Sequence, residues 1–247
     1  AGLALAVLVC VCLAPGCATP PPTGGDAVIA GADFVHRVDV QGRLTNAARV
    51  HVYLEGDGRP FVTRHRPAPD PTPRRRLPLD LMRLRPTASV SLARPCYEGG
   101  AASPPCTPSL WTAERYGERV VASLAAALDG LRSRHRIGHF TLIGYSGGGV
   151  LAMLLAERVP SVDRVVTVAA NLDIEAWAAL HGYSPLEGSL NPARRAPLPA
   201  RVRQWHYAGG RDRIVPSALI AAAVSAQPGP RVVVVDPAPH ARGWTSV

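Results

Sequence analysis

The 247-residue chain contains no lysine: all 27 of its basic residues are arginines, set against 18 acidic ones for a formal charge of +9. Such a charge invites nucleic acid or an anionic membrane surface as a partner. The arginines are scattered along the chain, however, and the densest run, Arg74-Arg75-Arg76, lies in a proline-rich stretch with no aromatic residues to stack on bases. A solvated loop is the expected reading there, and no nucleic-acid partner is expected. An arginine-only basic complement beside very many alanines and 25 prolines reads as GC-rich coding bias. Long apolar runs are also absent, since none reaches the roughly 20 residues that cross a bilayer as a helix. At 47% hydrophobic and 18% charged residues, collagen, coiled coil and wholesale disorder are excluded, leaving a globular domain behind a leader.

Cysteine is scarce, and three of the five cysteines fall at the start of the chain. Residues 1–14 are almost wholly apolar and are followed by Pro15, Gly16, Cys17 and a Pro- and Gly-rich stretch at 19–25, the pattern of a signal h-region and a linker. A basic n-region and an initiating Met are missing, so the numbering is expected to begin inside a secretion signal. Leu13-Ala14-Pro15-Gly16-Cys17-Ala18 resembles the lipobox of bacterial lipoproteins, in which a small residue precedes the cysteine that is cleaved at and acylated. It departs from that pattern at Ala14, where Leu is usual, and at Pro15. The likeness implies lipidation of Cys17 and an exported, periplasmic or cell-envelope protein whose folded domain stays soluble, with plain secretion as the alternative. The expected division is a leader at 1–17, a linker at 18–30 and a domain at 31–247. Cys10 and Cys12 would leave with the leader. Cys96 and Cys106 share a loop with Gly99, Gly100, Pro104 and Pro105, and no Cys or His flanks them at zinc spacing, so a disulfide is expected.

From residue 34 onward, short β-rich runs alternate with helical stretches, which builds a mainly parallel sheet covered by helices. Seven strands are predicted, at 34–40, 49–54, 88–92, 139–143, 164–168, 202–207 and 231–235, several of them continuously apolar as strands buried on both faces should be. Residues 113–134 carry Val120, Leu124, Leu128 and Leu131 at helical spacing, a stripe that reads as core. Residues 172–200 have the loop and short-helix character of a small cap.

Chemistry enters at Ile143-Gly144-Tyr145-Ser146-Gly147-Gly148-Gly149, where Gly-x-Ser-x-Gly follows a predicted strand and opens a helical stretch at 150–158. A serine in that strand–turn–helix setting is forced into a strained backbone that pushes its hydroxyl above the sheet, and only small neighbours fit. The Lys-Ser/Thr pair of a phosphate loop and the Gly-x-Gly-x-x-Gly spacing of a dinucleotide site are both missing here. An alcohol nucleophile needs a base, and the base needs a carboxylate to orient it. Asp212 follows the strand at 202–207 and His240 follows the strand at 231–235, so the chain order is Ser, Asp, His. Asp236 also follows a strand but stands only a few residues before His240, as a turn residue would. His206 lies inside a strand, and His135 and His139 precede the nucleophile strand. Oxyanion donors are expected from the amide of Gly147 and from Glu55-Gly56-Asp57-Gly58, with the amide of Asp57 preferred to that of Gly56. A plain β-turn at Asp57-Gly58 is compatible with that role.

In these residues the chain resembles a bacterial α/β-hydrolase, and more closely the uncharacterised exported α/β-hydrolases regarded as lipoproteins. The likeness spans roughly 49–240. It rests on the elbow, the Asp212 and His240 segments, the Glu55-Gly56-Asp57-Gly58 loop where many relatives have His-Gly, and Arg94-Pro95-Cys96 with Cys106 and Trp111. It implies the α/β-hydrolase fold, with a mainly parallel sheet of about eight strands and a small cap, and hydrolysis of an ester, thioester or amide through an acyl-enzyme. A carboxylesterase or lipase-like enzyme is the expected reading. A peptidase or acyltransferase on the same triad, or a non-catalytic envelope protein that binds in the cleft, are the alternatives. No metal or organic cofactor is implied, the partner is a small-molecule acyl substrate, and membrane association would come through the anchor at Cys17. Trp111, Trp177, Tyr145 and Tyr183 either line the acyl pocket or pack in the core.

Overall fold

The computed structural model describes residues 27–245, so the expected leader and the lipidation site Cys17 lie outside the described residues. The strands are β1 (Ala27–Ala30), β2 (Val35–Gln41), β3 (Arg49–Leu54), β4 (Phe61–Thr63), β5 (Arg66–Pro67), β6 (Ser89–Leu92), β7 (His139–Tyr145), β8 (Val162–Val168), β9 (Arg203–Gly209) and β10 (Arg231–Val235). The α-helices are α1 (Leu77–Arg83), α2 (Glu118–His135), α3 (Gly147–Arg158), α4 (Ile174–Leu180) and α5 (Ser217–Val224). Eight strands form one sheet in the order β1-β2-β6-β3-β7-β8-β9-β10, while β4 and β5 make a separate hairpin. β1 and β2 pair antiparallel, as do β2 and β6; every later pairing in the sheet is parallel.

Alternate residues of β3 face opposite cores: Val50, Val52 and Leu54 belong to the large one, and Tyr53 to a smaller one with Leu79 and Met82 of α1. The large core is closed by α2, α3 and α5. Val120, Leu124, Leu128 and Leu131 of α2 are all buried, as their spacing predicts. In α3 every residue from Gly147 to Ala156 is buried, the condition of a helix that is apolar all round. Each fully buried leucine there, such as Leu151 or Leu155, contributes about 1.5–3 kcal/mol by leaving water.

The β4–β5 hairpin and helices α1 and α5 lie in stretches for which no element is predicted, and the structure differs from the sequence reading at three further places. The sheet begins at Ala27, inside the stretch read as linker, because β1 pairs residue by residue with β2. The second helix begins at Glu118 rather than at 113, since Gly117 takes an extended conformation at its N-cap. Arg76, read as part of a solvated run, is half-buried and pairs with Asp39 at 3.0 Å and Glu98 at 2.8 Å, while Arg74 and Arg75 are exposed. Residues 172–200, read as a small cap, hold α4, a 3₁₀ turn at Pro192–Arg194 and loops.

Candidate active site

Ser146 stands between the last residue of β7 and the first of α3, with φ 49° and ψ −122°, a left-handed conformation that strains any residue but glycine. The turn is possible because glycines surround it. A Cβ on Gly144 would collide with the carbonyl of Gly148, one on Gly148 with the carbonyl of Leu54, and one on Gly149 with Ala170. Ser146 is held at both sides, its N–H donating to the Val168 carbonyl at 2.8 Å and its carbonyl accepting from Gly149 N at 2.9 Å.

The loops after β9 and β10 bring the other two residues to it. Asp212 Oδ1 accepts from the amides of Ile214 (2.8 Å) and Val215 (2.9 Å), which leaves Oδ2 to face His240 Nδ1 at 2.8 Å. His240 Nε2 lies 3.2 Å from Ser146 Oγ. An ionised carboxylate only accepts, so the Nδ1 proton points at Asp212 and the Nε2 lone pair is left for the serine O–H. The Asp212 side chain is fully buried and that of His240 is 18% exposed, so the carboxylate is shielded and the imidazole remains reachable. The two loops are laced together, Gly210 N donating to Val235 O and Arg211 N to Ala238 O.

Each competitor is accounted for elsewhere. Asp236 packs against Gly210. His206 is buried in β9 with Nδ1 2.9 Å from Thr167 Oγ1, its Nε2 is unpartnered, and burial pushes its pKa down to about 4. His135 ends α2 and His139 begins β7, which puts His139 at the end of that strand away from Ser146.

The predicted oxyanion loop runs directly past Ser146. A Cβ on Gly56 would sit 3.4 Å from Ser146 Cβ, and one on Gly147 would collide with Asp57 Oδ1. Gly147 is the first residue of α3, so its N–H has no intrahelical acceptor and points out of the positive end of the helix. Gly58 turns the chain away with φ 65°. Asp57 also does something its sequence position did not suggest: its carboxylate is the centre of a polar cluster. Oδ1 accepts from Arg94 Nη1 at 2.6 Å, and Oδ2 accepts from Arg115 Nη1 at 3.0 Å and Tyr116 Oη at 2.6 Å. Burial alone would raise the Asp57 pKa, but Arg115, Arg94 and the Tyr116 hydroxyl together bring it below the ordinary carboxylate range.

Two further supports lay beyond sequence reasoning. Trp244, buried against Ala238, donates from Nε1 to the His240 carbonyl at 2.7 Å and so fixes the histidine segment. Glu55, standing where the family resemblance expects His, is buried, accepts from Leu79 N at 3.3 Å, and lies 3.7 Å from Arg76 Nε. Of the four aromatic residues considered for the pocket, Tyr145 has its ring 5.3 Å from that of His240, whereas Trp111 is buried and donates to the Ala68 carbonyl. Trp177 and Tyr183 pack edge to face in the cap, Trp177 donating to the Ile214 carbonyl in the Asp212 loop. Cys96 and Cys106 are joined in a disulfide. Among the described residues no cluster of His, Cys, Asp and Glu could hold a metal ion.

No protein-family model and no curated protein matches the sequence. Solved structures do match the fold. An esterase of Pyrococcus furiosus superposes with a TM-score of 0.60 at 14% identity, over 90% of this chain and 86% of that one. An α/β serine hydrolase without a lid from Xanthomonas campestris gives 0.56 at 14% identity, over 89% and 87%. A puromycin hydrolase gives 0.59 at 14% identity, over 88% of this chain and 36% of that one. The chain therefore has the α/β-hydrolase fold.

Proposed function

We propose that the protein is a serine hydrolase that cleaves a carboxylic ester through an acyl-enzyme on Ser146. The observation that carries the reading is the continuous hydrogen-bonded line from Ser146 Oγ through His240 to Asp212. In acylation, Ser146 Oγ attacks the substrate carbonyl carbon as its proton passes to His240 Nε2, and Asp212 stabilises the imidazolium. The carbonyl π-electrons move onto oxygen, where the amides of Gly147 and Asp57 receive the negative charge. Collapse expels the alcohol, which takes the proton from His240. Water then attacks the acyl-enzyme with His240 again as base, releasing the acid and restoring the serine.

The preference for an ester draws support from the fold shared with the Pyrococcus esterase, although fold alone does not fix substrate. Hydrolysis of p-nitrophenyl esters from acetate to palmitate tests it. The expected result is turnover that Ser146→Ala reduces by about a million-fold, to the scale of triad deletions. Turnover that persists in Ser146→Ala would place the chemistry elsewhere, and no ester turnover by a protein that a serine-directed reagent still labels would point to an amide substrate.

A further inference from the structure

Asp57 is gripped at every polar atom it offers beyond its amide. Its carboxylate holds Arg94, Arg115 and Tyr116, and its carbonyl accepts from Tyr97 Oη at 3.0 Å. These partners are themselves fixed. Arg94 Nη2 donates to the Arg115 carbonyl at 2.6 Å, and its guanidinium lies 5.2 Å from the Tyr97 ring centre and 5.3 Å from that of Tyr116. Arg115 Nε donates to the Thr112 carbonyl at 2.6 Å, and Tyr116 N donates to Ser189 Oγ at 3.1 Å. Arg94 and Tyr116 are wholly shielded from solvent.

The cluster also reaches the other side of the site. The hypothetical Cβ on Gly147 that meets Asp57 Oδ1 would meet Tyr116 Oη as well, so both oxygens rest on the Cα of the residue after the nucleophile. One carboxylate thus ties the loop after β3 to the start of α3, the two segments that carry the proposed oxyanion donors. Buried ion pairs are a poor source of stability, because desolvation offsets most of the attraction and apolar packing of similar volume serves as well. Their advantage is geometric, since a bifurcated set of charged hydrogen bonds has one low-energy arrangement. Two arginines against one carboxylate also leave a net positive charge behind the amides, of the sign that favours a developing oxyanion.

We propose that Asp57, through its carboxylate, and Arg94, Tyr97, Arg115 and Tyr116 are positioning residues that set the geometry of the oxyanion hole. This rests on the serine-hydrolase reading above. The cluster touches no reacting atom; it acts by holding two amides at the separation the tetrahedral intermediate requires, where displacements on the order of 1 Å can cost about 100-fold in rate.

The test compares kcat and KM on a p-nitrophenyl ester for the parent, Tyr97→Phe, Asp57→Asn and Arg49→Gln. Tyr97→Phe deletes one hydroxyl and keeps the ring beside Arg94. Arg49→Gln breaks the ion pair with Asp163 at the opposite end of β3 and serves as the purely structural control. The inference expects kcat to fall about 10-fold in Tyr97→Phe and about 100-fold in Asp57→Asn with KM within about 2-fold of the parent, a loss confined to the transition state. Fluorophosphonate inactivation should slow in step, while Arg49→Gln lowers Tm and leaves kcat unchanged. Parent-like kcat in a folded Tyr97→Phe overturns the inference even if Asp57→Asn fails to fold. So does a fall in kcat that the Arg49→Gln control matches. A parent that neither turns over esters nor reacts with the probe defeats the underlying reading, and the positioning role with it.

Discussion

Glu55 is a carboxyl taken out of water one residue past the end of β3, and burial pushes its pKa up to about 8. Arg76 and the Leu79 amide pull the other way, but at 3.7 Å and 3.3 Å they do not offset the desolvation. The same group titrates near 4.5 in an unfolded chain, so between these values the folded protein keeps a proton that the unfolded chain has released. Stability contributed by Glu55 is therefore present at low pH and lost as pH rises through that window. Glu55→Gln keeps an acceptor for Leu79 and removes the titration. It should melt above the parent near pH 8, by at most a few kcal/mol at about 1.4 kcal/mol per pK unit, with the gap closing toward about pH 5. A gap that does not change with pH would show that Glu55 is ionised throughout.

Legibility at this scale depended on whether a residue's role is local. That Ser146, Asp212 and His240 lie together was readable because the elbow is a contiguous motif and each partner follows a recognisable strand. Arg94, Arg115 and Tyr116 were not, since their bonds to Asp57 span 37, 58 and 59 residues and nothing at Asp57 itself announces them. Trp244 escaped notice because its partner is a backbone carbonyl, which leaves no mark in sequence.

Among the elements, the long amphipathic helix and most strands of the main sheet were found, while several short elements were missed. The stripe of α2, the alternation of β3 and the apolar stretches of β7 and β8 declare themselves through spacing and burial. β1 sits beside a Pro- and Gly-rich stretch and the β4–β5 hairpin has strands of three and two residues, so these become strands only through their partners. The disulfide was legible from the close spacing of the two cysteines and the lack of any Cys or His beside them at zinc spacing. It closes a loop with a sequence separation of 10, which should stabilise the protein by about 3 kcal/mol in the chain-entropy model. Replacing both cysteines by serine should thus lower Tm by about 6–12 °C at this chain length. Turnover at room temperature should survive, because none of the bonds that hold Asp57 passes through the sulfur atoms. Unchanged melting of the double variant would mean that the bridge does not form in solution.

For the molecule as a whole, the parallel sheet does the assembling. Ser146, Asp212 and His240 come from strands β7, β9 and β10, separated by as many as 94 residues in sequence, and they meet because parallel strands deliver all their carboxyl ends to one edge. The oxyanion loop arrives at that edge from β3, the immediate neighbour of β7. This convergence is why the meeting of Ser146, Asp212 and His240 is legible in the sequence, and why the cluster behind Asp57, built from the long segment between β6 and β7, is not. The most direct measurement of the central claim is intact-mass analysis after treatment with a fluorophosphonate, followed by peptide mapping. A single adduct on Ser146, formed by the parent and absent from both Ser146→Ala and His240→Ala, is the predicted result. A folded parent that takes no adduct, or an adduct on Ser146 that forms as fast without His240, would contradict a nucleophile activated by this triad.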